Sequence, residues 1–288
     1  PYYGDKGSSV EGLARFKERP DGAAMEDSTI NTAYTWQCGI KQFSRQMTIP
    51  KRLLLANNAM PVIKDKIVQA SRQWGEIAAI QKDDYVADMF QKGTLTAGST
   101  EFFDNSFPGN TDPNKGFIYD GLPFFDTAHT LAGSATTLSN HTVSGALTQS
   151  NLESHMTTMT STNAVNERGE RVIIRPNMLI VPPGLEYTAR VILGTDKKTG
   201  SEHNDINPIA TQSSGVQLIV WRALDDAAAA SSWWIGQGGR GLRAYDSGAP
   251  VLTTREKENG DVIIQAEYHF GATVTNWRYW YCSHKAAS

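Results

Sequence analysis

The sequence predicts an α+β protein built around one long helix. Apolar residues recur at three- and four-residue steps from Asn58 to Gly93, a pattern typical of a single helix roughly 50 Å long. On either side of this stretch, before residue 41 and after residue 251, apolar and polar residues alternate as they do in strands. A helix of this length predicts a structural strut rather than an ordinary domain helix.

The N-terminal segment cannot form a core of its own. Only seven large apolar or aromatic side chains occur in the first 33 residues, and Asp21-Gly22 is a hairpin-type turn signal. Because a lone hairpin is marginal in water, we predict an arm that rests on a partner surface; the alternative is a hairpin packed on its own domain. The strand after the turn places four residues on one apolar face: Tyr34, Trp36, Cys38 and Ile40.

Shorter elements lie between this arm and residue 251. Thr48 and Pro50 predict a short capped helix before the long one, and residues 94–146 predict loops with short strands. Thr148 predicts the cap of a further helix. The remaining predicted elements are a strand over 175–181, a helix from Pro183 to Leu193, and strands over 216–221 and 232–235.

The C-terminal region is the richest in large side chains, with twelve large apolar or aromatic residues among residues 251–281. Residues 258–261, ENGD, form a strong two-residue hairpin signal, and an alternating strand runs beyond it from Val262 to Phe270. The aromatic run from Trp277 to Tyr281 has no basic stripe around it. That composition favours a sheet core or a subunit contact over stacking on nucleic-acid bases.

Composition excludes several classes of protein. Hydrophobic residues make up 40% of the chain and charged residues 20%, which is typical of a globular chain rather than a disordered one. The formal net charge of −3 provides no general attraction to nucleic acid or to an anionic membrane, and no apolar run approaches the ~20 residues that span a bilayer. Two cysteines are too few for a disulfide scaffold. Because Pro1 stands where an initiator Met would, we expect a trimmed or processed chain.

Residues Gly236 to Gly241 read GQGGRG and fit the spacing G-x-G-x-x-G of dinucleotide-binding loops. In those loops the glycines stand between a strand and a helix, and the helix N-terminus faces the phosphates. The residues before Gly236 fit a strand, but Gly248 and Pro250 leave no room for a helix after Gly241. We therefore predict no cofactor, and a nucleotide-dependent oxidoreductase is the alternative that this loop would support.

The sequence contains no other recognisable chemistry. None of the six histidines has a spacing typical of metal ligands. His129 with Asp126 would be a candidate acid–base pair, but a histidine bonded to a loop backbone is the favoured interpretation. We predict no catalytic residue and no metal site, and hence a protein that is not an enzyme.

Several segments together resemble one protein family. They are ERGERVIIRPNMLIVPPGLEYTARVILG (Glu167 to Gly194), NDINP (Asn204 to Pro208), FDTAHTL (Phe125 to Leu131) and YHFGATVTNWRYWY (Tyr268 to Tyr281). In order and spacing the chain is similar to the major capsid proteins of tailed bacteriophages, in the branch of Mu-like prophage head proteins. The resemblance covers residues 120–285 well, and the N-terminal part by layout.

The resemblance implies the Hong Kong 97-type capsid fold. Its expected parts are an N-terminal arm (1–10), an extended-loop hairpin (11–45), a peripheral domain with the long spine helix (46–119), an axial domain (120–250) and the C-terminal sheet of the peripheral domain (251–288). On this division the glycines of the axial loop are Gly236, Gly238, Gly239 and Gly241. The candidate inter-subunit contacts are Tyr34, Trp36, Cys38, Ile40, Trp280 and Cys282, and Cys38 and Cys282 would meet across subunits.

The implied function is self-assembly into hexamers and pentamers of an icosahedral shell. Its expected partners are the chain itself, packaged double-stranded DNA bound without sequence specificity, and scaffold or protease, portal and decoration proteins, with no membrane. Its expected location is the virion, after assembly in the bacterial cytoplasm. A protein nanocompartment of the encapsulin type, with the same fold and a protein cargo, is the alternative within this class.

Overall fold

The structure is a computed structural model that describes residues 4–10, 16, 18–19, 21, 24–25, 32–54, 60–94, 120, 122–131, 136–143, 145–195, 206–210, 215–224 and 231–284. Its helices and sheets confirm the predicted α+β class. The predicted turn residue Gly22, the predicted end of the short helix near Asn57, and most of the predicted loop region, including residues 95–119, lie outside this set.

The described chain begins with a two-stranded hairpin. Strand β1 (Gly4–Val10) pairs antiparallel with β2 (Thr32–Gly39), from Gly4 opposite Gly39 to Val10 opposite Thr32. The strand predicted around Trp36 is therefore confirmed. The prediction of one buried face is wrong at Gln37, which is as buried as its neighbours because both faces of β2 are covered near its end.

Strand β3 (Lys41–Ile49) and two helices follow, α1 (Lys51–Leu54) and α2 (Met60–Gln91). The 32 residues of α2 confirm the predicted long helix. Thr48 lies in β3 and does not cap α1, which corrects the prediction made from the sequence. The carboxylate of Asp261 takes that role, since it accepts a hydrogen bond of 2.8 Å from the backbone nitrogen of Lys51.

One sheet forms around the 13-residue strand β12 (Val262–Val274). Strand β3 pairs with one edge of β12, and β10 (Leu242–Asp246) and β11 (Val251–Glu256) share the other edge, all antiparallel. The position of the predicted turn between β11 and β12 is confirmed, with Gly260 at φ +81°, but the loop has three residues, 258–260, and not two, because Lys257 pairs with Asp261. We call this group the β12 sheet.

Helix α2 packs along the β12 sheet through its apolar residues. Ile67 and Trp74 contact a small cluster around Ile49 and Ile264, and Ala78 lies against Tyr268 and Phe270. The residues spaced three and four apart that predicted the helix are thus the residues that fix it on the sheet.

A second, five-stranded sheet has the order β6-β13-β9-β7-β8. The pairs β6–β13 and β7–β8 are parallel, and the other pairs are antiparallel. A short two-stranded ladder of β4 and β5 lies near it. The strands are β4 (His129–Thr130), β5 (Thr137–Leu138), β6 (His141–Val143), β7 (Met178–Val181), β8 (Gln217–Val220), β9 (Trp233–Gly236) and β13 (Trp280–His284).

Two helices share a core with one face of this sheet. Helix α3 (Gln149–Thr157) begins at the predicted cap, where Thr148 Oγ1 accepts a hydrogen bond of 3.2 Å from the backbone of Asn151, and it continues into a π-helical turn. Helix α4 (Glu186–Gly194) follows the 3₁₀ turn that Pro183 opens, as predicted. The shared core includes Leu152, Met159, Leu179, Val181, Ala189, Trp233 and Tyr281.

The other face of the five-stranded sheet packs on the rest of the molecule. Phe90, near the end of α2, meets Trp234 and Trp280 of that sheet at ring-centroid distances of 6.1 and 5.2 Å. The same core contains Ala272 and Val274 of β12. The two sheets therefore share one hydrophobic core.

The sheets do not follow the segment boundaries predicted from the sequence. Strand β13 falls in the segment 251–288 but lies inside the five-stranded sheet, and β10 falls in 120–250 but belongs to the β12 sheet. The boundary at residue 45 divides β3, which is one continuous strand along β12. The cause is that pairing between distant strands leaves no local mark in the chain.

Candidate functional site

The four residues predicted as contacts on the N-terminal strand lie near the end of β2. Trp36 and Cys38 are 8% and 1% exposed, because this part of β2 lies against the subunit's own β12 sheet. Ile40 is half-buried, and the side chain of Tyr34 lies outside the described residues. Burial of Trp36 and Cys38 within the subunit corrects the prediction that they contact a neighbour: the hairpin's base packs on its own domain.

Trp280 and Cys282 lie in β13, at the centre of the subunit. Trp280 is 3% exposed and donates a hydrogen bond of 2.9 Å from Nε1 to the carbonyl of Arg240, and Cys282 has no exposed surface. Burial raises the pKa of the Cys282 thiol well above its ordinary value. Both side chains belong to their own subunit's core, which corrects the predicted contact with a neighbour. Neither cysteine forms a disulfide in the described part of the chain.

The glycine loop connects β9 with β10. Gly236 belongs to β9, where a Cβ atom would come within 2.3 Å of the Trp280 ring. Gly239 and Gly241 have φ of +77° and +79°, the left-handed region that glycine adopts without strain. The backbone nitrogen of Gly238 donates a hydrogen bond of 2.8 Å to Asn177 Oδ1. These contacts explain the glycines by turn geometry and by close packing on an aromatic ring.

A strand, not a helix, follows this loop. Strand β10 begins at Leu242, directly after Gly241. A dinucleotide loop needs a helix N-terminus at that point to face the pyrophosphate. The oxidoreductase alternative therefore lacks the element that its only motif requires.

The candidate acid–base pair is replaced by a buried structural pair. His129 Nδ1 lies 2.6 Å from Asp120 Oδ2, and His129 Nε2 lies 3.3 Å from the carbonyl oxygen of Phe124. The imidazole stacks on Trp277 at 4.2 Å between ring centroids. Asp126, the partner suggested by the sequence, instead accepts a hydrogen bond from the backbone of Ala128. This histidine fixes a loop, as predicted.

Within the residues described, no group of three or more His, Cys, Asp or Glu side chains is placed to hold a metal ion. In the same residues, no helix combines the length and the apolar character needed to cross a lipid bilayer.

The hairpin is the most unusual feature of the subunit surface. In the described part of the chain β1 pairs only with β2. Phe16 and Met25, between the two strands in sequence, are fully exposed. Sequence analysis missed these two residues, although they are the only large aliphatic or aromatic side chains between Leu13 and Ile30. Two isolated bulky residues in a polar turn segment were the available signal.

Comparison with known proteins gives the class of this molecule. A model of the family described as phage capsid protein matches residues 40–283. No curated protein matches the chain in sequence. The capsid structure of cyanophage P-SCSP1u is similar with a TM-score of 0.52 at 13% identity, covering 99% of this chain and 84% of that one. A structure from Gordonia phage Cozz is similar with a TM-score of 0.50 at 13% identity, covering 99% and 82%.

At these identities the structural likeness shows the fold, which confirms the predicted Hong Kong 97-type capsid fold. The family match spans most of the chain, and the chain belongs to the phage capsid protein family. It is a phage capsid protein, a structural subunit of the shell of the virion.

Proposed function

We propose that the subunits form hexamers and pentamers that close into an icosahedral shell around double-stranded DNA, and that the hairpin joins each subunit to the next. The observation that carries this proposal is the β1–β2 hairpin with its exposed Phe16 and Met25. An isolated two-stranded hairpin is marginal in water, and exposed apolar side chains at its end mark a contact with another surface. A second copy of the chain supplies that surface in a self-assembling protein.

Rings of five and six require a head-to-tail contact, in which each subunit uses two different surfaces. A hairpin that docks on a neighbouring subunit meets this requirement, because it uses a surface other than the one on which it docks. Each contact is modest, but a shell sums many of them, so that the assembled particle is far more stable than any one contact.

The two sheets support an assignment of domains. We assign the β12 sheet with α2 to the peripheral domain, and the five-stranded sheet with α3 and α4 to the axial domain. The glycine loop from Gly236 to Gly241 leaves the five-stranded sheet, which supports its placement in the axial domain. The pairing of β1 with β2 supports a single hairpin in place of the separate arm (1–10) and extended loop (11–45) expected from the sequence.

The net charge of −3 supplies no general attraction to DNA phosphates, so in this proposal the shell encloses the DNA without sequence-specific contacts rather than binding it tightly. We further propose that assembly takes place in the host cytoplasm. The further partners in this proposal are scaffold or protease, portal and decoration proteins. Nuclease treatment of purified particles tests it: double-stranded DNA that survives inside the shell is the expected result. A shell that protects protein cargo and no DNA would favour the nanocompartment instead.

The hairpin's role is tested by shortening it. Val10 and Thr32 are direct partners in the ladder, so the two residues Asn-Gly can join them in place of residues 11–31. The part of β2 that packs on the body is kept. We expect native circular dichroism with only monomers or isolated capsomers in sedimentation. A matched variant, Phe16→Ser with Met25→Ser, keeps the full length and tests the apolar contact alone. Closed shells of normal size from both variants would contradict the proposed role.

A further inference from the structure

The hairpin leaves the body at a defined point. The ladder between β3 and β12 ends with Lys41 opposite Phe270, and only Ile40 separates β3 from the hairpin strand β2. Strand β12 continues to Val274, so its last residues lie beside β2 without a ladder between them. The direction of the hairpin is therefore set by side-chain and backbone contacts, not by strand pairing.

Three residues of the body form a surface at this point. Arg243 and Thr273 are direct cross-strand partners in β10 and β12, and Gly271 lies two residues before Thr273. Because side chains alternate along strands and face the same side in direct pairs, these three positions lie on one face of the β12 sheet. We call Arg243, Gly271 and Thr273 the seat.

Successive residues of β2 contact the seat. Thr273 Oγ1 donates a hydrogen bond of 2.9 Å to the backbone carbonyl of Gln37, and both residues are buried. The Arg243 guanidinium lies 4.9 Å from the ring centroid of Trp36. At Gly271 the backbones approach so closely that a Cβ atom would lie 2.4 Å from the carbonyl oxygen of Gly39.

Trp36 also ties the two strands of the hairpin to each other. It pairs with Gly7 across the ladder, and a Cβ atom at Gly7 would lie 2.2 Å from the Trp36 ring. The indole therefore covers the backbone of β1 at Gly7, in the way that an aromatic side chain covers a cross-strand glycine. The seat holds β1 as well as β2 through this one ring.

We propose that the seat fixes the direction of the hairpin before assembly, and that Gly271 is a positioning residue for shell formation. The proposal rests on the proposed function, in which the hairpin docks on a second copy of the chain. Strand β1 spans roughly 23 Å at about 3.3 Å per residue, so a tilt of about 10° at the seat moves its far end by about 4 Å. A hairpin held in place also loses less conformational entropy on docking.

The decisive variant is Gly271→Ala. No positive φ is needed at this residue, so alanine fits the backbone, but its methyl group cannot fit against Gly39. Gly271 pairs with β10, and the preceding residue Phe270 pairs with both β3 and β10, so β12 is held in place and we expect the hairpin to move instead. Gly75→Ala is the matched control, because a Cβ atom at Gly75 meets nothing within 4 Å.

The two cysteines report where the change occurs. Cys38 is covered by the seat and Cys282 is buried in the main core. Labelling of unassembled subunits with a thiol reagent, followed by peptide mass spectrometry, should show Cys38 modified in Gly271→Ala and Cys282 still protected. Shell yield should fall at least tenfold in the same variant, while Gly75→Ala assembles as the parent chain does.

A second pair of variants tests the seat without added bulk. Thr273→Val removes the hydroxyl that binds Gln37, and Thr273→Ser keeps it. We expect Thr273→Val to expose Cys38 and to reduce shell yield, and Thr273→Ser to restore both toward the parent values.

Three outcomes would contradict the proposed role of the seat. They are normal shells from Gly271→Ala, a protected Cys38 in that variant, or labelling of both cysteines, which would mean that Gly271 supports the whole subunit. The variant in which Asn-Gly replaces residues 11–31 distinguishes failure of the seat proposal from failure of the proposed function. If that chain fails to assemble while Gly271→Ala assembles normally, the seat is wrong and the hairpin's role stands. If both assemble normally, the hairpin's role is wrong as well.

Discussion

At the residue scale, His155 is an uncharged group in the core between α3 and the five-stranded sheet. Its ring stacks on Trp233 and lies against Tyr281, with centroid distances of 4.7 and 4.3 Å, and it is 4% exposed. Burial and, to a smaller extent, the nearby His141 together lower the pKa of His155 from 6.5 to about 4. The aromatic rings cover the imidazole and favour its neutral form.

We predict that His155 makes the unassembled subunit sensitive to acid. A pKa that is lower in the folded state means that the unfolded chain binds more protons between pH 6.5 and about 4. The contribution of His155 to the free energy of unfolding is therefore fully present above pH 6.5. It is lost as the pH falls towards about 4, and the loss amounts to up to about 3 kcal/mol. His155→Phe should flatten this dependence in urea unfolding measured at several pH values.

Two substitutions in the glycine loop distinguish a glycine that is needed for space from one that is needed only for its backbone conformation. Gly241 has positive φ and a Cβ atom there would lie 2.5 Å from the carbonyl of Asn276, whereas Gly239 has positive φ and open space. Gly241→Ala should lower the free energy of unfolding by about 2 kcal/mol or more, because backbone strain and a clash add. Gly239→Asn should change it by less than about 0.5 kcal/mol, since asparagine tolerates this conformation. Equal effects in thermal unfolding would refute the distinction.

At the element scale, α2 is attached to the β12 sheet by a polar contact as well as by its apolar face. Lys82 Nζ lies 2.6 Å from Asp246 Oδ1 and 2.7 Å from the carbonyl oxygen of Gly248, above the ring of Tyr268. The hydrogen bond from Lys82 is the main reason that the pKa of Asp246 lies below its ordinary value. One charge thus joins the middle of the long helix to the turn between β10 and β11.

Replacing Lys82 with methionine should therefore weaken this attachment. The methionine side chain still covers the aromatic rings, so only the charged hydrogen bonds of Lys82 are lost. Because Asp246 is half-exposed, we expect the free energy of unfolding to fall by only about 1 kcal/mol. The Asp246 contribution is complete above pH 3.8 and is lost as the pH falls through its lowered pKa, so the parent and Lys82→Met should converge in acid. Lys92→Met, which breaks the part-buried pair between Lys92, just after the end of α2, and Asp88, is the control and should cost no more than about 0.5 kcal/mol.

The elements that sequence analysis predicted correctly are those with local causes. Helix α2 follows from its periodicity, α3 from the cap at Thr148, and the β11–β12 turn from Asn259 and Gly260. The parallel pairing of β6 with β13 joins residues about 140 positions apart, and no local pattern encodes it. The predicted subunit contact at Cys282 followed from the family resemblance, and the aromatic run that contains Trp280 fitted a sheet core as well as a subunit contact. An apolar strand predicts burial, but the sequence does not say whether its own chain or a neighbour provides the cover.

At the scale of the whole molecule, Phe90 connects the parts of the subunit. Its ring meets Phe124, Trp221, Trp234 and Trp280 within the core that also includes the end of β12. Because one core serves both sheets, neither sheet is an independent folding unit. We expect the unassembled subunit to unfold in a single transition.

Phe90→Ala tests this expectation. The cavity should lower the free energy of unfolding by about 3 kcal/mol or more, and it should shift the transitions seen by far-ultraviolet dichroism and by tryptophan fluorescence together. Ile80→Ala, at an exposed position of the same helix, should have little effect. Two separate transitions in either chain would show that the sheets unfold independently.

The central position of β12 has a mechanical consequence. Its ladders with β3, β10 and β11 run along the strand, and their hydrogen bonds are perpendicular to it. The hairpin is joined to the body through the start of β3, so tension on the hairpin that acts in line with β3 also acts along its ladder with β12. Such tension loads these hydrogen bonds in shear, many at a time, instead of peeling them one after another. A subunit pulled at its hairpin therefore resists through many hydrogen bonds at once, and we expect it to withstand more force than one whose strands peel apart.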